Sequence, residues 1–292
     1  MTGKDKYHPR IVRQIRSLPI RGVEYSISEW GDEAAPLVFY LHGWADTGST
    51  FQFVVDAFKS DWRVIAPDWR GFGRSSHRSP AYWFPDYLAD LHALLEIYSP
   101  DEPVRLIGHS MGGNVCSLYA GVMPERVSAI VNIEGFGLTD SDPGDAPARY
   151  RDWLEAGQSP PSFSDYPDFE NLASRIRKRT PGLSEAQADF VAREWATDND
   201  GVVRLRADPN HKLPNAVLYR RAEAEACWRN ISAEMLLVSG ETSSFAERVG
   251  GVDVLPFPSS HSSVIPGVGH MVHFEAPELL AEQIEAFLQK YL

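Results

Sequence analysis

The feature that most constrains this chain is a serine between two glycines, in the motif G-H-S-M-G at residues 108–112. The residues before it, 103–108, form a short apolar run of strand type, and the residues after it, 111–123, are rich in small side chains. This order predicts a strand, a sharp turn and a helix. Glycines at both ends let the strand and the helix approach closely while the Ser110 hydroxyl projects from the turn.

Apolar runs of strand length alternate with helical patterns along most of the chain. The predicted strands are residues 13–18, 22–30, 36–41, 62–67, 103–108, 128–133, 234–240 and 261–270. The predicted helices are residues 82–98 and 277–291, where apolar side chains recur at helical spacing, and residues 111–123, a short segment rich in small side chains that ends before Pro124. Such alternation is typical of a mostly parallel, twisted sheet flanked by helices, so the predicted fold class is α/β.

The segment 138–213 has a different character. Residues 140–195 within it carry many prolines and charged residues, with helical stretches and no strong strand pattern. We therefore expect residues 1–137 and 214–292 to form the core, and residues 138–213 to be inserted as a helical cap, or lid.

Two features of the predicted cap leave alternatives open. A basic run at residues 175–179 either attracts an acidic substrate or forms a solvated helix face. Several aromatic side chains either line a substrate pocket or form the cap's own small core: Tyr150, Trp153, Phe163, Tyr166, Phe169, Phe190 and Trp195.

Composition argues against several classes of function. The formal net charge is −12, whereas nucleic-acid binding needs clustered Lys and Arg. No apolar run approaches the ~20 residues that span a bilayer, and the polar N-terminus lacks the apolar stretch of a secretory signal. We therefore expect a cytoplasmic protein without nucleic-acid or membrane partners. The two cysteines, Cys116 and Cys227, are expected to be free thiols.

Three further motifs accompany the serine motif in a fixed order: H-G-W at 42–44, P-D-W-R-G-F-G-R-S at 67–75 and G-V-G-H at 267–270. With these motifs the chain resembles the α/β-hydrolase fold superfamily, and within it the capped esterase, lipase and dehalogenase-like group that includes serine hydrolase-like proteins. The resemblance covers residues 20–292. It implies an α/β-hydrolase fold with an inserted cap, and Ser110 as the nucleophile.

The resemblance also implies which groups assist Ser110. His270 occupies the position of the family's catalytic histidine, and imidazole can take the hydroxyl proton and return it to a leaving group. The backbone N–H groups of Trp44 and Met111 are expected to form the oxyanion hole. The alternative for His270 is a structural role in its glycine-rich loop. The alternative for Trp44 is that its ring is part of the core.

Other polar residues near these motifs are expected to be structural. His42 and His109 flank motif glycines and are expected to shape those turns, and His273 to pack or face solvent. Asp68 is expected to cap a turn.

The sequence departs from the commonest family pattern at the triad acid. The stretch after the predicted strand 234–240 has no aspartate, and Ser243 stands where that acid is expected. Part of the family, including some haloalkane dehalogenases, places the acid at the end of the strand after the nucleophile, where this chain has Glu134. Glu134 is therefore the favoured acid. One alternative is that Glu241 is the acid. The other is that Glu134 is an ordinary exposed glutamate.

A serine nucleophile implies an acyl-enzyme formed from a carbonyl compound, whereas dehalogenases and epoxide hydrolases of this fold use aspartate. The expected function is hydrolysis of a small carboxylic ester by Ser110, His270 and Glu134. The sequence has no metal-ligand spacing or phosphate-loop motif, so no metal or organic cofactor is expected. The alternatives are another serine-dependent reaction (C–C hydrolase, thioesterase, amidase or perhydrolase), a ligand receptor on a hydrolase scaffold and an inactive relative. A monomer and a homodimer both remain open.

Overall fold

The computed structural model describes residues 6–76, 79–159 and 161–292. Its strands are β1 Gln14–Ile20, β2 Val23–Trp30, β3 Leu37–Leu41, β4 Arg63–Pro67, β5 Val104–His109, β6 Val127–Ile133, β7 Ala196–Asn199, β8 Val202–Leu205, β9 Glu234–Gly240 and β10 Ser260–Ile265. Its α-helices are α1 Gln52–Ala57, α2 Phe84–Tyr98, α3 Met111–Val122, α4 Ala146–Gln158, α5 Phe169–Arg179, α6 Glu185–Trp195, α7 Arg221–Trp228, α8 Phe245–Arg248, α9 Val272–Glu275 and α10 Pro277–Leu288.

The described residues contain an eight-stranded sheet in the order β1-β2-β4-β3-β5-β6-β9-β10. The β1–β2 and β2–β4 pairs are antiparallel, and every pair from β4 to β10 is parallel. The carboxyl ends of β5, β6 and β9 therefore meet at one edge of the sheet. This confirms the predicted α/β-hydrolase fold with its mostly parallel sheet.

Helices cover both faces of this sheet because its strands present apolar side chains to both. Successive strand residues point to opposite faces. In β3, Phe39 joins the apolar cluster beneath α2, α3 and α7, whereas Tyr40 joins the cluster beneath α1 and α10. Leu91 of α2 and Ile284 of α10 are fully buried on their respective faces. The predicted flanking helices are thus confirmed.

Residues 138–213, which we call the insert, lie between β6 and β9. The insert contains α4, α5 and α6, and it also contains the antiparallel hairpin β7–β8. The hairpin follows residues 140–195, the stretch in which no strong strand was predicted, so the helical cap expected over 138–213 is not purely helical. The hairpin closes through Asp200 and Gly201, both with positive φ (54° and 82°), which is the geometry of a two-residue hairpin turn.

Two smaller features bear on the sequence predictions. The strand predicted over 261–270 ends at Ile265, because Pro266 and Gly267 (φ 73°) turn the chain out of the sheet. Cys116 and Cys227 are both free, as predicted. No helix among the described residues combines the length and the apolar character that crossing a bilayer requires.

Candidate active site

Ser110 occupies the turn between β5 and α3. Its φ of 51° and ψ of −113° lie outside the regions that residues with a β-carbon normally adopt. The Ser110 N–H donates to the Ile133 carbonyl over 2.7 Å, which ties this turn to the end of β6. Backbone strain of this kind concentrates at functional sites, where the surrounding structure holds it in place.

The glycines around Ser110 allow the strand and the helix to meet. A β-carbon at Gly112 would lie 1.9 Å from the Leu41 carbonyl oxygen, and one at Gly108 would lie 2.5 Å from the Gly112 carbonyl oxygen. Both distances are too short for any side chain. The close approach expected from the motif is therefore present.

Glu134 directly follows β6, on the same edge of the sheet. Its backbone has a positive φ of 59°, and its side chain is completely buried. The Gly240 N–H donates to Glu134 Oε1 over 2.8 Å, and the Ser243 hydroxyl donates to Oε2 over 2.6 Å. A buried carboxylate needs such partners, and these two fix its orientation.

His270 lies in the loop between β10 and α9. Its Nδ1 is 3.2 Å from Glu134 Oε2, and its side chain is 26% exposed. The carboxylate oxygen accepts, so Nδ1 carries the hydrogen and Nε2 of the neutral ring is free to accept a proton. The Phe245 ring stacks on the imidazole at 4.0 Å between centroids and holds its plane.

The structure brings Glu134 and His270 into contact and places Ser110 at the same edge without a direct bond to His270. Among the described residues, no hydrogen bond joins the Ser110 hydroxyl to that imidazole. The connection runs instead through His109, whose Nε2 is 2.9 Å from the His270 carbonyl oxygen and whose ring centroid is 4.7 Å from that of His270. Catalytic hydrogen bonds are often long without substrate and shorten when it binds.

Glu241, the alternative acid, lies elsewhere. Its side chain is exposed, and its Oε2 accepts from the Gly267 N–H over 2.8 Å. Glu241 therefore supports the turn after β10. The contact expected of a triad acid is made by Glu134.

The two predicted oxyanion donors differ in how they are held. Met111 is the first residue of α3, so its N–H has no partner within the helix. The carbonyl of Gly43, which shares a peptide group with the Trp44 N–H, is fixed by His42 Nδ1 at 2.7 Å and by the Asp46 N–H at 3.3 Å. Because a trans peptide points its C=O and N–H in opposite directions, these contacts fix the direction of the Trp44 N–H.

His42 performs this role as a neutral ring. Burial lowers the pKa of His42 to about 4. Its Nε2 accepts from the Trp69 N–H over 2.8 Å, so Nδ1 carries the hydrogen that reaches Gly43. The prediction that His42 shapes its turn agrees with these contacts.

The Trp44 ring is not a core side chain. It is 48% exposed and contacts the rings of Phe72 and Phe163, with centroids 6.4 and 6.3 Å away. Phe163 belongs to the insert. Trp44 therefore lies where the insert meets the core.

A buried polar cluster that we did not predict lies beneath the site: Asp46, His109 and His273. Asp46 Oδ2 is 3.1 Å from His273 Nε2, and Asp46 Oδ1 accepts from the Trp195 indole N–H of the insert over 2.7 Å. Burial lowers the pKa of His109 well below its usual range, so His109 is neutral. His273, predicted to pack or face solvent, is fully buried.

This cluster is also where the described residues come closest to a metal-binding arrangement. One ligand atom from each of the three side chains lies within 4.8 Å of the others. Hydrogen bonds join Trp195 of the insert through Asp46 to His273 of α9, and a separate hydrogen bond joins His109 to the His270 carbonyl oxygen.

Four of the insert's aromatic residues take one of the two roles expected for them, that of a small apolar core. Tyr166, Phe169, Phe190 and Trp195 pack in an apolar cluster with α5 and α6, as expected of a small core. Tyr150 and Trp153 of α4 are exposed. In the basic run 175–179 the cationic side chains are exposed around the buried Ile176, which is the solvated helix face.

The charged side chains of the motif at 67–75 support the fold. Asp68 is buried and accepts from the backbone N–H groups of Gly48 and Arg74, each over 2.9 Å. The Arg70 guanidinium binds the buried Asp90 through two hydrogen bonds. Both contacts agree with the structural role expected of this motif.

Two cavities flank the site. One of 1030 Å³ lies along α3, where Asn114 and Leu118 follow Ser110 by one and two helical turns, and Trp83 and Tyr150 form part of its wall. The other has a volume of 620 Å³ and lies between the core loop 73–75 and the insert. Both fall in the range of small-molecule pockets.

Comparison with known proteins agrees with this architecture. A sequence profile for the alpha/beta hydrolase fold family matches residues 36–277. The thioesterase domain from the curacin biosynthetic pathway is similar in structure, with a TM-score of 0.85 and 27% identity, over 94% of this chain and 99% of that one.

Two curated relatives also match over most of their length. The chain is 27% identical to a serine hydrolase-like protein of Danio rerio, over 93% of this chain and 87% of the relative. It is 23% identical to the 2-(acetamidomethylene)succinate hydrolase of Mesorhizobium japonicum, over 94% of each chain.

Proposed function

Because the chain belongs to the α/β-hydrolase fold family and is a hydrolase of the serine hydrolase-like kind, we propose that it hydrolyses small carboxylic esters through an acyl-enzyme on Ser110. One observation carries the proposal. A buried Glu134 carboxylate holds His270 at 3.2 Å, on the sheet edge where Ser110 stands in a strained turn. An imidazole oriented by a carboxylate is the base that a serine hydroxyl needs to become a nucleophile.

The proposed first step is attack of the Ser110 hydroxyl oxygen on the ester carbonyl. His270 Nε2 takes the hydroxyl proton as the new C–O bond forms. Glu134 keeps the hydrogen on Nδ1 and stabilises the imidazolium that results. The Phe245 ring stacks on the imidazole and limits its rotation.

The negative charge that develops on the carbonyl oxygen is proposed to meet the N–H groups of Met111 and Trp44. The imidazolium then returns its proton to the departing alcohol oxygen, and the acyl-enzyme remains. Water attacks this ester by the same route, with His270 again taking the proton, and releases the acid and free Ser110. No step uses a metal or an organic cofactor.

We also propose that the insert, residues 138–213, acts as the cap over this site. Its Phe163 packs against Trp44, and its Trp195 donates a hydrogen bond to the buried Asp46 of the core. Both contacts lie beside the predicted oxyanion loop. A small-molecule ester is thus enclosed between the core and the insert.

The test is labelling by a fluorophosphonate probe together with turnover of p-nitrophenyl esters of increasing chain length. We expect covalent labelling and ester hydrolysis by the wild-type protein, and loss of both in Ser110→Ala. Ser174→Ala, at an exposed position of α5, is the matched control and should behave like the wild type. Saturable ligand binding without turnover would instead indicate a receptor.

A second candidate is thioester hydrolysis, favoured by the structural similarity to the curacin thioesterase domain. The same residues would act, because a thioester also passes through an acyl-serine. Acyl-coenzyme A substrates matched in chain length to the p-nitrophenyl esters separate the two. Turnover of the thioesters without turnover of any ester would replace our first proposal by the second.

A further inference from the structure

The 620 Å³ cavity between the core and the insert concentrates positive charge in a chain that is acidic as a whole. Three arginines line it: Arg74 from the core loop, Arg204 from β8, and Arg206 directly after β8. Asp165 also lines the cavity, so its lining side chains carry a net formal charge of +2 in a chain whose formal net charge is −12.

Two of these arginines are paired with carboxylates. Arg74 lies 2.7 Å from Glu194, which also binds Arg13 at 2.7 Å, so one carboxylate serves two guanidiniums. Arg204 lies 3.2 Å from Asp165 in an exposed pair. These contacts neutralise only part of the positive charge around the cavity.

Arg206 has no carboxylate partner among the residues that the structure describes. Its Nε donates to the Ala196 carbonyl over 3.0 Å, which anchors the guanidinium, and its terminal nitrogens make no hydrogen bond to the described residues. Burial and the charge of Arg74 lower the pKa of Arg206, whereas the charges of Glu194 and Asp68 raise it. A bound anion would give this partly buried guanidinium a direct partner.

The cavity lies beside the proposed ester site. Phe163 forms part of its wall and contacts the Trp44 ring on its other side. Trp44 follows Gly43, where a β-carbon would lie 3.2 Å from Ser110 Cβ. Thr197 adds a polar group to the wall. The arginine cavity thus borders the loop that carries Trp44, next to the turn at Ser110.

We propose that this cavity binds a carboxylate at the far end of the substrate, with Arg206 as its charged partner. The inference rests on the proposed ester hydrolysis and narrows its substrates to esters of dicarboxylic acids or other esters with an anionic end. A guanidinium matches a carboxylate through two parallel N–H donors, which gives direction as well as charge. Arg206 is well suited, since its Nε is already anchored.

The kinetic test compares p-nitrophenyl butyrate with the mono-p-nitrophenyl esters of succinate, glutarate and adipate. We expect the wild-type protein to prefer one of the acidic esters in kcat/KM. Arg206→Gln should lower that value by about 10- to 100-fold and leave the value for the butyrate ester within about twofold. Arg177→Gln, an exposed arginine of α5, makes the same charge change and should alter neither.

A binding test separates this inference from the proposed function. Free glutarate should raise the melting temperature of the wild-type protein and not that of Arg206→Gln, whether or not any ester is hydrolysed. Inorganic phosphate is the second probe, and stabilisation by phosphate without stabilisation by glutarate would overturn the carboxylate assignment. Turnover of the butyrate ester with no preference for any acidic ester and no effect of glutarate would overturn the inference while upholding esterase activity.

Discussion

The Ser243 hydroxyl donates a hydrogen bond over 2.6 Å to Glu134 Oε2, the oxygen that also faces His270 Nδ1. Ser243 stands in the loop after β9, where the commonest pattern of the family has the acid itself. In this chain the loop supplies a donor and the neighbouring strand supplies the carboxylate. Positions 134 and 243 thus meet at one oxygen, Glu134 Oε2. Substitutions at each of them give testable predictions.

We expect Glu134→Gln to lower kcat for ester hydrolysis by about 10³- to 10⁴-fold. The amide can still accept from the Gly240 N–H, so the fold should persist, but its NH₂ group would face His270 and favour the wrong tautomer of the imidazole. Steady-state kinetics with a p-nitrophenyl ester, alongside circular dichroism, measure both effects.

Glu241→Gln is the control for this variant. Glu241 is exposed and bonds only the Gly267 N–H among its described contacts, so we expect kcat to stay within about twofold. A large loss in Glu241→Gln together with a small one in Glu134→Gln would assign the acid to the other glutamate.

The position of Ser243 predicts that the acid can be moved. In the double variant Glu134→Gln, Ser243→Asp, a carboxylate returns to the loop after β9, within reach of the same histidine. We expect kcat to recover at least about tenfold over Glu134→Gln alone, because residues that share one partner act non-additively.

The single variant Ser243→Ala completes this cycle. It removes one donor from Glu134 and should reduce kcat modestly, while Ser244→Ala, the exposed neighbour, should not. If the double variant is no more active than Glu134→Gln, the carboxylate at position 243 does not reach His270.

The hydrogen bond from Trp195 to Asp46 predicts that the insert contributes to the stability of the core. Trp195→Phe keeps an aromatic ring but removes the donor that reaches the buried carboxylate. We expect the free energy of unfolding to fall by about 1–3 kcal/mol, measured by urea denaturation. Trp153→Phe, in the exposed helix α4, should change it by less than about 0.5 kcal/mol.

Two buried neutral histidines predict sensitivity to acid. Burial lowers the pKa of His42 to about 4, and that of His109 falls well below 6.5. An unfolded histidine takes up its proton near pH 6.5. The stability that depends on these neutral rings is therefore complete above pH 6.5 and is lost as the pH falls toward 4.

The titration of Asp68 changes the free energy of unfolding in the opposite direction. Burial raises its pKa to about 6, so below that pH the folded chain holds a proton that the unfolded chain releases down to about 3.8. The unfolded chain thus binds about one net proton more near pH 5, two at the histidines less one at Asp68. This corresponds to a loss of about 1.4 kcal/mol per pH unit in the free energy of unfolding.

Urea denaturation at several pH values between 6.5 and 4.5 measures this slope. His109→Gln removes one titrating ring and keeps an N–H for the His270 carbonyl, so its slope should fall to near zero around pH 5. A slope as steep as that of the wild type in His109→Gln would contradict the assignment of His109 as a buried neutral ring.

The strands of the sheet could be predicted because each is a short apolar run with turn residues at its ends. The β7–β8 hairpin was missed, since Thr197 to Asn199 are polar and lack alternation. Its turn, Asp200-Gly201, is nevertheless a sequence signal for a hairpin. Exposed strands depend on such turns more than on apolar patterning.

The same contrast holds at the candidate site. Ser110 was recognisable because its turn is local and needs glycines next to it in the sequence. The link from Trp195 through Asp46 to His273 joins residues far apart in the chain, and no spacing within the sequence reveals it. Position 243 was identified from the sequence as the place where the family usually has its acid. The hydrogen bond from Ser243 to Glu134, however, depends on how β6 and β9 lie side by side.

The backbone of Ser110 has one further consequence. Its φ of 51° is a conformation that glycine adopts with little cost, whereas a residue with a β-carbon loses about 1–3 kcal/mol there. A glycine at this position would give a chain more resistant to heat and without its nucleophile. Selection for thermal stability and selection for catalytic turnover therefore oppose each other at this single position. The presence of serine indicates that selection for turnover has prevailed.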